Sequence, residues 1–255
     1  MSDIRIEVDA NNLLGRQFTE LERDQLPFAV MQACNATAFE IRETWKRTAP
    51  RVFDRPAPLT VNAAMYRKAT KDKLFAEIFL RDETFKGTPP SKYLLPEVQG
   101  GGRRQKGLEV LLQAKGLMPR GHFAVIGRGA TPDQYGNVRG GQITAILSQL
   151  KAQRDDYQNQ SSGSVRRRAS RRKRGGKYFV LTKQRGRLKP GIYERIDTGF
   201  GSAVRSIFFF TARATYKPRY DIFGLAQRTW DKLMPFYLDR ELEKAIRTAF
   251  DRTRP

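Results

Sequence analysis

GIYERIDTGFGSAVRSIFFFTARATYKPRYDIFGLAQRTWDKLMPFYLDRELEKAIRTAF, residues Gly191–Phe250, decides the fold. Ile192–Ile196 and Val204–Thr211 are rich in β-branched and aromatic residues, and the Gly-containing run Thr198-Gly199-Phe200-Gly201 separates them. That is the signature of a hairpin. Lys217-Pro218 breaks the strand pattern. Beyond it Met234, Leu238, Leu242, Ile246 and Phe250 recur at steps of four, which places an apolar stripe along one face of a helix. Asp231, Asp239, Glu241 and Glu243 alternate with Lys232, Arg240, Lys244 and Arg247 on the remaining surface. Pro235 lies inside this pattern, where it is expected to start or kink the helix. The stretch is the densest apolar segment of the chain and reads as scaffold.

Upstream, Ile4–Val8 alternates as a short strand. After Pro27, suited to a first helical turn, Val30, Cys34, Ile41 and Trp45 recur at helical spacing up to an expected end at Ala49-Pro50. Asn62–Lys68 reads as a brief helix. Lys73–Arg81 reads as a strand, with Leu74, Ala76, Ile78 and Leu80 on one face and Phe75 and Phe79 on the other. A Pro-containing loop follows, then a short helix at Leu108–Ala114, a strand at His122–Gly127, a helix at Gln142–Gln153 and a strand at Lys177–Thr182. The expected fold is α+β. It is one domain over 1–255, with a small, mostly antiparallel sheet from strands near 74–80, 122–127, 178–182, 192–196 and 204–211. Helices 28–48 and 222–250 flank that sheet, an elaboration occupies about 85–160, and a basic loop occupies about 155–176.

The 255 residues carry 48 Lys and Arg against 26 Asp and Glu, a formal charge of +22. A surface of that sign attracts nucleic acid, an anionic membrane or an acidic protein. No apolar run reaches transmembrane length. The acidic N-terminal residues Asp3, Glu7 and Asp9 do not fit a signal peptide. A single cysteine, Cys34, excludes an internal disulfide framework and a cysteine-based zinc site, and points to a reducing cytoplasm.

Between Arg166 and Arg174, seven of nine positions are basic: Arg166, Arg167, Arg168, Arg171, Arg172, Lys173 and Arg174. Low hydrophobicity and self-repulsion predict an extended loop there. Such a cluster suits contact with phosphates, a basic targeting signal, or docking on an acidic neighbour. With no ring inside it, electrostatic contact with DNA or protein is favoured over base stacking. His122 is the only histidine, so every histidine-dependent catalytic scheme rests on one residue at a strand edge. The glycine runs near 100 and 127 match neither a P-loop nor a dinucleotide fingerprint. Glu77, Asp82, Glu83, Glu97 and Glu109 form a two-metal nuclease only on paper. No catalytic, metal or cofactor residues are assigned.

The order of an Ala-rich N-terminal helix, a basic linker, a strand, a basic middle, GKYFVLTK (176–183), GIYERI (191–196), AVRSIFFFTARATYKPRYD (203–221) and a closing amphipathic helix resembles the minor tail protein Z family of tailed bacteriophages. These proteins act in tail completion at the head–tail junction. The match covers Lys177–Phe250 best and Ala29–Leu80 more loosely, while residues 85–160 depart from it. The resemblance implies a non-enzymatic virion protein that is assembled in the host cytoplasm and forms a ring around the DNA channel. It further implies neighbouring neck and tail proteins as partners. Such a ring requires a repeated heterologous interface, for which the stripe Met234, Leu238, Leu242, Ile246 and Phe250 is the expected face. The alternatives are a non-sequence-specific DNA-binding or DNA-processing protein, and a capsid-associated or tail-tube-lining protein.

Overall fold

The fold is seen in a computed structural model that describes residues 5–9, 20–85, 87–170, 176–197 and 201–252. It is mixed α+β, as expected, with long helices near both ends of the chain and small antiparallel sheets. The chain divides into two compact units. The first comprises residues 1–101 and 216–255, and the second comprises residues 102–215.

Unit 1 is built on helix α1 (Glu20–Val52) and helix α7 (Ile222–Arg252), with a short helix α2 (Pro58–Val61), a helix α3 (Pro90–Gln99) and three strands. Along α1, Val30, Ala33, Cys34, Ala38, Ile41, Trp45 and Ala49 are fully or almost fully buried, a stripe at helical spacing. Ile222, Ala226 and Met234 of α7 belong to the same core. The alanines of α1 allow the two helices to approach closely. The Thr37 hydroxyl, buried between them, donates to the Ala33 carbonyl at 2.8 Å and lies 3.6 Å from the Met234 sulfur. The Cys34 thiol is buried and donates to the Leu74 carbonyl at 3.6 Å.

The sheet of unit 1 has the order β1 (Arg5–Asp9), β3 (Phe75–Leu80), β2 (Ala64–Arg67), all antiparallel. Ala76, Ile78 and Leu80 turn into the core while Phe75, Glu77 and Phe79 alternate outward, as the sequence pattern predicts. Residues 64–67 form a strand where a brief helix was expected. Ala64 and Ala63 are buried, and β3 supplies a ladder for Met65 and Tyr66, so pairing overrides a weak local preference.

Proline reads differently here than in isolation. Both α1 and α7 run through their prolines, Pro27 and Pro50 in α1 and Pro235 in α7. Each interior proline forfeits one backbone hydrogen bond and costs up to about 3 kcal/mol. The burial of continuous apolar stripes on either side offsets that cost. A helix, α3, also replaces the expected loop after residue 82. Pro89 and Pro90 suit its first turn, and Pro96 lies inside it.

Strands β4 (Gly101–Gly102) and β9 (Thr215–Tyr216) mark the two crossings between units. Unit 2 holds helices α4 (Gly107–Ala114), α5 (Gly140–Gln149) and α6 (Ser162–Ser170). It also holds a four-stranded antiparallel sheet of order β5 (Phe123–Ile126), β8 (Ser202–Thr211), β7 (Gly191–Asp197), β6 (Lys177–Leu181). Strand β3, expected in the same sheet as these four, belongs to the sheet of unit 1 instead. The core of unit 2 joins Leu108 and Leu112 of α4 and Ile146 and Leu147 of α5 to Ala124, Ile192, Ile207 and Phe208 of the sheet. Between Ile192 and Tyr193 the β7–β8 register slips, so Tyr193 opposes Ser206 and Ile207 is the extra residue of a bulge. Gly191 is required by close approach: a Cβ there would lie 2.2 Å from the Phe208 carbonyl oxygen. Within the stretch expected as a basic loop, Asp156–Gln158 form a 3-10 turn and Ser162–Ser170 form α6.

Candidate nucleic-acid interface

Charge is distributed very unequally between the two units. Counted over the full sequence, unit 1 carries 24 Lys and Arg against 20 Asp and Glu, whereas unit 2 carries 24 against 6. Unit 2 therefore holds +18 of the +22. Five of its six carboxylates are also committed to internal partners. Glu109 and Glu194 are buried, Asp133 accepts from the N–H groups of Tyr135 and Asn137, Asp155 caps the 3-10 turn through Tyr157, and Asp156 accepts from Asn159. Few acids are left to balance the surface cations.

Of the basic cluster singled out in the sequence, Arg166 is exposed on α6. Arg167 and Arg168 continue that helix with side chains outside the description, and Arg171, Arg172, Lys173 and Arg174 lie outside the described residues. The α7 stripe divides. Met234 is buried, Leu238 packs against the core of unit 1, Leu242 is half-buried, and Ile246 is 55% exposed. Phe250 continues the helix with its side chain outside the description. Met234 and Leu238 thus serve the chain's own core, and Ile246 is the described member of the stripe presented to solvent.

The strongest constellation in unit 2 lies on β6 and β7 and the loop that joins them. In the sequence this loop reads only as a reversal. Lys183, Arg185, Arg187 and Lys189 are all exposed on it, closed by reciprocal backbone hydrogen bonds between Arg185 and Leu188 of 3.0 Å each, with Gly186 at φ +57°. At the opposite end of the same strands, Lys177 and Arg195 are cross-strand partners, and both are exposed.

Between these two cationic ends the rows are aromatic. Phe179 opposes Tyr193, and their rings stack at 5.7 Å with an interplanar angle of 22°. Tyr193 meets Phe209 edge to face at 6.3 Å, and Phe209 opposes Val125 across to β5. The Arg195 guanidinium sits 5.5 Å from the centre of the Phe179 ring. Alternation places these residues on the face opposite Ala124, Ile192 and Phe208, away from the side on which α4 and α5 pack. Tyr193 is buried beneath its neighbours and its hydroxyl donates to the Lys189 carbonyl at 2.6 Å. Phe179 and Phe209 are half-buried, and Val125 and Val204 are exposed. The signal for this face was present in the sequence as alternate residues of KYFVL and GIYER, but it needed the register to bring the rings together.

Side chains occupy part of each outer edge of this sheet. At β5, the Glu109 carboxylate accepts the Ala124 N–H at 2.7 Å and Arg103 donates to the Ala124 carbonyl at 3.3 Å. Glu109 is fully buried and also accepts from Arg103 and from the Lys106 N–H, the latter at 2.7 Å. Burial pushes its carboxyl up, but the Arg103 guanidinium and the two backbone N–H groups outweigh burial and hold the pKa below its ordinary value. At β6, the Gln149 side chain accepts the Tyr178 N–H at 3.0 Å. An edge whose outward backbone groups are occupied in this way resists pairing with another strand.

Of the other carboxylates weighed as nuclease ligands, Glu77 and Glu97 are held by guanidinium groups. Glu77 pairs with Arg67, and Glu97 with Arg219 at 2.5 and 3.0 Å. Among the described residues no group of three or more His, Cys, Asp or Glu is placed to hold a metal ion, and no helix is long and apolar enough to cross a membrane. His122 lies just before β5, its Nδ1 3.2 Å from the Arg120 carbonyl oxygen. No family model, curated protein or solved structure matches the chain.

Proposed function

We propose that this chain is a structural virion protein of a tailed bacteriophage, a tail-completion or head–tail connector subunit that assembles as a ring around the DNA channel. The observation that carries the reading is the partition of charge: a compact unit of +18 inserted into a helical unit of +4. A polyanion is the natural counterpart of the first, and a repeated protein contact is a natural use of the second. The resemblance of Lys177–Phe250 to the minor tail protein Z family supplies the context, and the exposed part of α7 around Ile246 supplies a surface for a neighbouring subunit.

The test is the assembly state of the purified protein, alone and with neck proteins, by mass photometry and electron microscopy. A discrete oligomer that dissociates in Ile246→Glu is the expected result. Persistent monomers in both conditions, together with absence from purified virions, overturn the reading. A second reading, a non-sequence-specific DNA-binding protein acting outside a particle, is favoured by the cationic loop Lys183–Lys189. It requires salt-sensitive binding to nucleic acid by the isolated chain.

A further inference from the structure

We propose that the open face of the four-stranded sheet in unit 2 is a stacking platform for single-stranded nucleic acid. Unpaired bases lie on Phe179 and Phe209, and their phosphates run between the cations at the two ends of β6 and β7. The inference does not depend on the assembly proposed above.

Three observations carry it. First, the rings are interleaved with cations and no acid. The row of Lys177 and Arg195 lies on one side of Phe179 and Tyr193, and the loop with Lys183, Arg185, Arg187 and Lys189 lies on the other. The three cross-strand rows on this face, from Lys177 to Leu181 with their partners, contain no Asp or Glu; on the same face Asp197, opposite Ser202, stands one row beyond Arg195. An apolar face that served only to bind another protein has no need of such a rim, whereas a nucleic acid needs both its parts. Ring faces take bases of any sequence, and flanking cations take the phosphates.

Second, the rings select single strands. A duplex hides the faces of its bases within its own stack and offers protein only its grooves and phosphates. Rings set into a sheet gain nothing from it, but they stack with bases that are already unpaired. Third, Arg103 and Glu109 take up the Ala124 backbone groups at the β5 edge and Gln149 takes up the Tyr178 N–H at the β6 edge, which leaves an extended peptide fewer backbone groups to pair with. What the sheet offers is its face.

The test compares binding of a labelled oligothymidylate and a labelled duplex of equal length by fluorescence anisotropy over a range of salt. The full chain is expected to bind the single strand more tightly. Phe179→Leu and Phe209→Leu keep an apolar side chain in the sheet and remove the ring. Each is expected to weaken single-strand binding by about 10-fold and leave the salt slope unchanged. Arg185→Gln with Arg187→Gln is expected to reduce that slope by roughly 0.7 for each phosphate that is no longer neutralised. Photo-crosslinking of a bromodeoxyuridine oligonucleotide to the unaltered protein gives a readout independent of variant folding. Crosslinks in 177–181, 191–195 and 204–211 support the platform. Equal affinity for duplex, parental affinity in both leucine variants, or crosslinks confined to other segments overturn it.

Discussion

Glu109→Ala is the perturbation whose consequences follow most directly from the geometry. The carboxylate is fully buried and supports Arg103, through both of its oxygens, and the backbone N–H groups of Lys106 and Ala124. The Arg103 side chain is itself only 12% exposed, so truncating Glu109 leaves a guanidinium with little water to turn to. Breaking a buried pair from one side costs about 3–5 kcal/mol, a large fraction of a domain's stability. For a unit of this size the corresponding drop in melting temperature is about 15 °C. Both tryptophans, Trp45 and Trp230, belong to unit 1, so their fluorescence is silent for unit 2. Far-UV circular dichroism and hydrogen exchange at the Ala124 and Lys106 amides are the suitable readouts. The variant also uncovers the β5 edge beside the exposed Val125 and Ile126, so aggregation is expected to rise with the loss of stability. Because the folded-state pKa of Glu109 is depressed, its stabilisation is complete above the ordinary carboxyl value of 4.5 and is lost as pH falls through the folded value. The gap between parent and Glu109→Gln should therefore narrow in acid below about pH 4.5. An alanine variant that unfolds within about 1 kcal/mol of the parent, with unchanged exchange at Ala124, refutes this account of the node.

The other expectations are briefer. The Tyr220 hydroxyl, which burial shifts toward higher pKa, donates to the Trp45 carbonyl at 2.9 Å. Tyr220→Phe should cost about 1 kcal/mol, read from tryptophan fluorescence during urea unfolding, and no measurable loss would remove this bond from the stability of unit 1. Met234→Ala should cost about 2–4 kcal/mol because the side chain fills the α1–α7 core. A variant of undiminished stability that failed only to oligomerise would return Met234 to the subunit interface. Unit 2, with 24 basic residues against 6 acidic, should gain thermal stability from added salt or inorganic polyphosphate, while the tryptophan-reported transition of unit 1 moves little. Equal responses of the two transitions would count against self-repulsion in unit 2.

Strong periodicity was legible in the sequence, and long-range pairing was not. The stripe Val30 to Ala49, the alternation of Phe75–Leu80 and the apolar strand Ile207–Phe210 each declare themselves within a short window, and each is where the pattern puts it. Assigning β3 to the wrong sheet is a different kind of error. Nothing local in FAEIFL says that its partners are Arg5–Asp9 and Ala64–Arg67, because partner choice is settled by the chain that packs around it. The prolines misled for a related reason. Their cost is local and visible, whereas the burial that outweighs it is tertiary. In the candidate site the cluster Arg166–Arg174 stood out because like charges were adjacent. The Lys183–Lys189 loop spaces its cations with Gln, Gly and Leu, and the rings beside it come from three strands brought into register.

Buried acids explain why so basic a unit presents its charge outward. Glu109 closes the β5 edge, and Glu194 lies inside the sheet, where it accepts the Gly176 N–H at 3.0 Å and the Arg205 guanidinium at 2.7 Å. Each buried acid neutralises an arginine close to it and none of the cations on the open face. Those buried carboxylates therefore do nothing to compensate the cations of the open face. A protein partner that matched them would have to supply many carboxylates in the right places. A polyphosphate backbone supplies that charge at regular intervals along its whole length, and a single strand supplies in addition the flat faces that Phe179 and Phe209 are placed to meet.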